Sequence, residues 1–278
     1  MRSPVLAVQD FSRFTVLREF VQNGRARDLK RRSANRMKQI LVSFFLVVFV
    51  FGSTVDAQQH RTRAKTSTAK RSASAGGIRD CPDEGRGGDP NLNRRKNIRS
   101  DNKRATLQKL QWMKDRPDPK NFTRQTTSRA ELTRLGEGRK ITVVAYALVA
   151  RPGSKESCNC GLSAVKDTDN HIVLVDPTIK KPTLTANEAD SETAEFTPRV
   201  RLDHPNLSRA KLQPLIDVRG RQLVRVTGLL MFDSEHFLGR HLKRHNNWEI
   251  HPVLKLEYCT AATCTDTSDA GWKSLDSR

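Results

Sequence analysis

One stretch near the end of the chain constrains the fold more than any other part of the sequence. In residues 248–259, apolar and polar side chains alternate, and Val253 is the one apolar residue out of phase. This two-residue period is typical of a β-strand that has one face in an apolar core. The stretch therefore predicts a half-buried strand whose other face carries Glu249 and His251.

Four segments upstream also predict strands, and one segment between them predicts a helix. The strand segments are 140–150, 171–175, 195–202 and 222–233. Gly228 indicates a bend or bulge in the last of them. Residues 206–218 carry apolar side chains at helical spacing and predict the helix. Three strands, a helix and two strands is the order of an OB-type barrel, so we predict a mainly β, five-stranded OB-like Greek-key barrel over residues 136–260. An open β-sandwich is the alternative, which the helix disfavours.

The net charge of +20 is distributed unevenly along the chain. Residues 1–57 carry +6, residues 58–140 carry +13, and residues 141–278 carry only +1. Basic segments often bind nucleic acid, lipid head groups or acidic wall polymers. Because the excess precedes the barrel, we expect residues 58–80 to form a flexible basic tether to such a surface, with a solvated linker as the simpler interpretation.

Residues 37–57 have the pattern of a secretory signal peptide. A basic start precedes an apolar run over residues 40–52, and Val55-Asp56-Ala57 follows as a small-residue exit. The run is shorter than the roughly 20 residues that a membrane-spanning helix needs, so a membrane anchor is the less favoured alternative. We expect cleavage near Ala57 and a secreted or periplasmic protein, with residues 1–36 as a polar leader or a mis-assigned start.

The segment between the tether and the barrel, residues 81–135, predicts turns and one short helix. Its first part is rich in glycine, proline and asparagine, which favour turns over a phosphate-binding loop. An apolar stripe within residues 105–114 predicts a helix that packs on the barrel. Residues 261–278 form a C-terminal tail.

Export would place the cysteines in a compartment where disulfides form. The candidates are Cys81, Cys158, Cys160, Cys259 and Cys264. Because their number is odd, at least one is free or pairs with another chain. Cys259 and Cys264 could close a small terminal loop, and Cys81 could reach back to the barrel.

Two sets of residues could carry chemistry, and both draw on the loops that join strands one and two and strands four and five. Carboxylate and imidazole groups could hold a divalent metal ion and activate water. The candidates for this set are Asp169, His171, Asp233, His236 and His251. A second set could bind an anion such as phosphate. Its members are His236, Arg240, His241, Arg244 and His251. Sulfur ligands from Cys158 and Cys160 are a further metal option, against a structural disulfide or a buried thiol.

Several strings of residues resemble a family of exported bacterial proteins with an OB-like barrel. The most specific is Trp-Glu-Ile-His-Pro at residues 248–252, and others are Glu156-Ser157-Cys158-Asn159-Cys160 and Asp233-Ser234-Glu235-His236. The resemblance spans roughly residues 81–259 and implies the fold and export. It implies no activity, so it assigns no catalytic residue.

The sequence favours an exported binding module for an anion or polyanion. The alternatives are a metal-dependent hydrolase related in chemistry to phosphodiesterases and nucleases, and a structural envelope protein. The second and third strands offer only Phe196 and His171 for stacking on bases, which disfavours tight nucleic-acid binding by the barrel itself. The sequence leaves open whether the protein is an enzyme.

Overall fold

The computed structural model describes residues 76–119, 129–236 and 243–277. The strands are β1 (Thr106–Gln108), β2 (Lys140–Pro152), β3 (Asn170–Val175), β4 (Glu192–Phe196), β5 (Gln222–Phe232), β6 (Trp248–Cys259) and β7 (Trp272–Ser274). The helices are α1 (Pro90–Lys96), α2 (Leu110–Lys114), α3 (Ala130–Leu135), α4 (Leu184–Asn187) and α5 (Arg209–Asp217). The predicted leader, the signal peptide and most of the tether lie outside the described residues.

Five of the strands close into a barrel. Their order is β2-β3-β4-β6-β5, and β5 pairs again with β2. The pairs are antiparallel except for β4 and β6, which run parallel. Helix α5 lies between β4 and β5 in the chain. This arrangement confirms the predicted five-stranded barrel with one helix between its third and fourth strands.

The interior of the barrel is apolar because alternate side chains of each strand point into it. Phe232 and Trp248, which pair across β5 and β6, meet edge to face with ring centroids 5.2 Å apart. Fully burying one such large apolar side chain contributes about 1.5–3 kcal/mol. Other buried core residues are Val143, Ile172, Leu174, Ala194, Phe196, Leu212, Val226 and Ile250.

Gly228 marks the predicted irregularity between β5 and β6. The register of the two strands shifts on either side of this residue. A Cβ atom at Gly228 would lie 2.3 Å from the carbonyl oxygen of Pro252, so the backbones approach too closely for a side chain. The predicted bend or bulge is therefore confirmed.

Two elements differ from the prediction, one in where it ends and one in its type. The third barrel strand stops at Phe196, and a 3-10 turn follows at Val200–Leu202, since Pro198 lacks the N–H that a continued strand needs. The predicted helix over residues 105–114 is a strand, β1, followed by the short helix α2. Because β3 pairs with β2 only from Tyr146 onward, β1 fills the free edge of β2 further upstream.

Two disulfides join distant and neighbouring parts of the chain. Cys81 is bonded to Cys160, and Cys259 is bonded to Cys264. Cys158 is a buried free thiol. Since the sulfur of Cys160 is held in a disulfide, a metal site built on both Cys158 and Cys160 is wrong. Across the described ranges, no helix is long and apolar enough to cross a membrane.

Residues 81–97, here called the covering segment, pack against the loop between β2 and β3. The Asn97 side chain donates to the backbone oxygens of Asp83 and Cys158, at 2.8 and 3.0 Å. Ser157 donates to the side-chain oxygen of Asn93 at 2.9 Å. With the Cys81–Cys160 disulfide, these contacts fix α1 over one outer face of the barrel.

Candidate functional site

Three adjacent barrel strands place one polar side chain each on the same outer face. His171 of β3 and Glu195 of β4 are direct cross-strand partners. The parallel pairing of Ala194 with Ile250 places His251 of β6 beside Glu195. The neighbouring residues in each strand point into the apolar core, so this polar row follows from strand alternation.

The loop between β2 and β3 adds two carboxylates to this row. Asp169 immediately precedes β3, and its backbone oxygen accepts a hydrogen bond of 2.7 Å from the N–H of Gly153. Its Oδ1 accepts from the side chain of Asn159 at 3.2 Å. Glu156 follows β2 and is held by Lys96 of α1, whose Nζ lies 2.8 Å from Glu156 Oε2.

Together these residues form a group that is here called the cluster, which consists of Glu156, Asp169, His171, Glu195 and His251. Asp169 and His251 face each other at its buried end. Asp169 Oδ2 lies 3.9 Å from His251 Nε2, and both side chains are at most 1% exposed. Neither atom has a hydrogen-bond partner within the part of the chain that the structure describes. The other ring nitrogen, Nδ1, lies 3.1 Å from Glu249 Oε1 and 3.2 Å from Glu195 Oε2.

His171 occupies the solvent-facing end of the cluster. Its Nε2 lies 3.5 Å from Glu195 Oε1 and 3.9 Å from Glu156 Oε1. The side chain is 39% exposed, although the Nε2 atom itself is buried. His171, Glu195 and Glu156 line a depression with a volume of about 240 Å³, which is called the cleft from here on. Its other lining residues are Lys96, Arg151, Val173, Glu188, Thr193, Asp233, His236, Lys243 and Arg244.

Asp233 and Arg244 also line the cleft and form a second buried network. Arg244 donates to Asp233 Oδ2 and to Glu249 Oε2, both at 2.6 Å. His236 Nδ1 also lies 2.8 Å from Asp233 Oδ2, and its ring is more than half exposed. The network thus orients His236 at the cleft surface and holds Arg244 in fixed ion pairs.

Two opposing effects set the pKa values in the cluster. Burial disfavours the charged form of each group, and the attraction between carboxylates and histidines favours it. Burial, with the charge of Glu156 beside it, raises the pKa of Asp169 to about 7. The charge of Glu195 raises the pKa of His171 to about 9 despite desolvation. Burial would raise the pKa of Glu195, but the two histidines outweigh it and lower that pKa to about 2. Burial also opposes protonation of His251, but Glu195 and Glu249 raise its pKa well above the usual range.

The structure brings together only part of the predicted metal set. Asp169, His171 and His251 lie together in the cluster. Glu156 and Glu195, which the sequence analysis did not propose as ligands, lie beside them and complete the possible metal-binding groups. Among the residues that the structure describes, three groups of possible ligands have their atoms within 4.8 Å of one another. They are Glu156–Cys158–Asp169, Glu156–His171–Glu195 and Asp169–Glu195–His251. Asp233 and His236 pair with each other instead and contribute to none of these three groups.

The two groups without sulfur match the ligands that zinc and manganese accept. Each offers two carboxylates and one imidazole. In the third group, burial and the nearby Asp169 raise the pKa of the Cys158 thiol, which donates to Glu156 Oε2 at 3.3 Å. A metal ion has to displace the protons of the two imidazoles as well as that of this thiol. The thiol has the higher ordinary pKa and burial raises it further, so it holds its proton more strongly and the carboxylate–imidazole groups are the better candidates.

The predicted anion-binding set is only partly placed. Arg240 and His241 lie outside the described residues. Arg244 is engaged by two carboxylates, and His251 is fully buried, so His236 is the member of the described set that faces the cleft. Arg151 and Lys243 line the cleft as well, and sequence reasoning had not singled them out.

Comparison of the chain with protein-family models, with curated proteins and with solved structures finds no match. The resemblance to exported bacterial proteins therefore stays a prediction.

Proposed function

We propose that the protein is an exported, metal-dependent hydrolase that cleaves phosphate esters in the cleft. The observation that carries this proposal is the open group of Glu156, His171 and Glu195. Its imidazole Nε2 lies 3.5 and 3.9 Å from the two carboxylates. Two ligands of one tetrahedral ion stand roughly 3.4 Å apart. Three protein ligands that line a cleft leave a position for water or substrate, as in catalytic metal sites.

A divalent ion at this position would supply a bound water with a pKa near 7, the nucleophile of metal-dependent hydrolysis. The chain supplies the remaining groups. Asp233 raises the pKa of His236 and orients its ring at the cleft surface, where the imidazolium can donate a proton to a leaving oxygen. Lys243 lines the same cleft and provides positive charge for a phosphate group, whereas Arg151, which also lines it, is ion-paired with Glu188.

An anion-binding module without catalysis is the second candidate. It is favoured by the cationic side chains Lys243 and His236 on the cleft wall; Arg151 lies there as well but is paired with Glu188. The two candidates differ in one respect, because phosphate binding by these side chains alone would not depend on a metal ion.

The test is hydrolysis of bis(p-nitrophenyl) phosphate by the full chain after EDTA treatment, with and without added Mn²⁺ or Zn²⁺. We expect activity that returns with the metal and falls at least 100-fold in His171→Gln. His204→Gln is the matched control, since His204 is 42% exposed and also pairs with a carboxylate, Asp276, at 2.7 Å. Activity that EDTA leaves unchanged would contradict the metal mechanism, and metal-independent phosphate binding without hydrolysis would support the binding module.

Export is part of the proposal, and the two disulfides are compatible with it because such bonds persist in oxidising compartments. The test is N-terminal sequencing of protein recovered outside the cytoplasm. We expect a mature chain that begins at Gln58, and retention of residues 1–57 would contradict the signal-peptide prediction.

A further inference from the structure

We infer that the cluster binds a second divalent cation at an inner position formed by Asp169, Glu195 and His251, so that Glu195 bridges two ions. The inference rests on the proposed function, which places the first ion at the outer position of Glu156, His171 and Glu195. It assigns to the protein a two-metal centre, the kind of site that clamps both the attacking and the leaving oxygen of a phosphate ester.

The inner position is marked by two buried polar atoms that lack partners. Asp169 Oδ2 and His251 Nε2 point at each other across 3.9 Å, too far for a hydrogen bond. Among the described residues neither atom has another hydrogen-bond partner. Leaving such atoms unpaired in the interior is costly, and a cation between them would satisfy both.

The groups around these two atoms leave them available as ligand atoms. Asn159 donates to Asp169 Oδ1, which leaves Oδ2 as the available oxygen. Glu249 contacts His251 Nδ1 at 3.1 Å, which leaves Nε2. A carboxylate on the second ring nitrogen is the usual support of a metal-binding histidine, because it fixes the ring and raises the basicity of the ligand nitrogen.

Glu195 is placed between the two positions. Its Oε1 lies 3.5 Å from His171 Nε2 in the outer group. Glu195 also belongs to the inner group with Asp169 and His251, whose possible ligand atoms lie within 4.8 Å of one another, and its Oε2 lies 3.2 Å from His251 Nδ1. Glu195 is thus the residue that the outer and inner groups share, as expected of a bridging carboxylate. Glu195 is itself 7% exposed, which fixes its orientation within the cluster.

The two positions differ in access. Asp169 and His251 are at most 1% exposed, whereas His171 is 39% exposed in the cleft. An inner ion would therefore be enclosed by protein and would exchange slowly. The outer ion would keep a coordination site for water or a phosphate oxygen.

The experiment is a titration of the EDTA-treated full chain with Mn²⁺, followed by calorimetry and by metal analysis after gel filtration. We expect two equivalents per chain in the native protein, one in His251→Gln and one in His171→Gln. Asp169→Asn, which keeps the size of the side chain, serves as a second inner variant if His251→Gln fails to fold. Electron paramagnetic resonance of the doubly loaded protein should show exchange coupling between two Mn²⁺ ions.

Each alternative result is decisive. One equivalent that is lost in His171→Gln and kept in both inner variants would overturn the inner position and leave the proposed function intact. A second possible result is one equivalent that the inner variants lose and His171→Gln keeps. It would show that Asp169 and His251 bind an ion, but it would overturn the bridged pair and the outer position. Absence of any bound Mn²⁺ or Zn²⁺ would overturn the inference and the proposed function together.

Discussion

Lys96 Nζ lies 2.8 Å from Glu156 Oε2, and this buried ion pair joins α1 to the loop between β2 and β3. The two residues are 60 positions apart in the chain. Burial would lower the pKa of Lys96, but the charges of Glu156 and its neighbours outweigh it and keep the ammonium protonated. The covering segment therefore contributes a permanent positive charge to a cluster that is otherwise rich in carboxylates.

Replacing Lys96 by Met should destabilise the metal-free protein by about 3–5 kcal/mol, because it leaves Glu156 buried without its cation. Added Mn²⁺ should recover part of this loss by supplying positive charge. Urea denaturation with and without Mn²⁺ measures both effects. The control is Lys114→Met, since Lys114 is also buried but its partner Asp190 is 59% exposed and can be rehydrated. If both variants lose the same free energy of unfolding, the loss in Lys96→Met does not come from leaving Glu156 buried without a cation.

Replacing Glu249 by Gln should weaken Mn²⁺ binding about 10–100-fold, because Glu249 supports the ring of His251 rather than binding the ion itself. Calorimetric titration measures the affinity. Glu257→Gln is the matched control, since Glu257 lies on the same strand and pairs with an arginine, Arg225, at 2.7 Å. If both variants bind Mn²⁺ equally well, Glu249 has no supporting role.

Glu192 makes stability depend on pH. Both of its carboxylate oxygens are buried without a hydrogen-bond partner in the described ranges, and burial raises its pKa to about 9. The corresponding pKa in the unfolded chain is about 4.3. Because the unfolded state releases this proton first, the contribution of Glu192 to stability is fully present below pH 4 and is lost as the pH rises to 9.

Glu192→Gln should therefore stabilise the protein at pH 7 by about 1–3 kcal/mol and flatten the dependence of Tm on pH between 5 and 9. Thermal unfolding at several pH values provides the measurement. Glu84→Gln, at an exposed position, should leave the profile unchanged. A profile that is equally steep in Glu192→Gln would show that other groups cause the dependence.

The two disulfides should differ in their contribution to stability and to the site. Cys81 and Cys160 are 79 residues apart, whereas Cys259 and Cys264 are five apart. Loop-closure entropy predicts a loss of about 4 kcal/mol for the double serine variant of the first pair and about 2 kcal/mol for that of the second. Only the first variant should also weaken Mn²⁺ binding, because it releases the covering segment. Equal Mn²⁺ affinity in both variants would contradict this coupling.

The barrel could be predicted from the sequence because its strands carry a regular two-residue period and end at turn-forming residues. The errors occurred where tertiary contacts decide. β1 is a strand because β2 offers an unpaired edge beside it, a feature that no local pattern around Leu107 contains. The Cys81–Cys160 disulfide confirms that Cys81 reaches back to the barrel, but the choice of Cys160 as its partner depends on how the covering segment packs.

About half of the candidate site could be predicted. Asp169, His171 and His251 are polar residues beside or within predicted strands, and their grouping followed from the expected topology. Glu195 was missed because the strand was predicted to begin there, although the register opposite His171 places it at the centre of the site. Lys96 and Glu156 meet only through packing of α1, so sequence distance hides the pair.

The packing of the covering segment should affect how quickly proteases degrade the protein. Lys96 and the Cys81–Cys160 bond hold this segment against the same loop that contributes Glu156 and Asp169. An ion bound by Glu156 and Asp169 would stabilise this packed arrangement, and the effect would grow with the ion concentration relative to the dissociation constant. Metal supply would thus set the rate at which residues 81–97 are exposed to cleavage, and a depleted environment would shorten the lifetime of the chain.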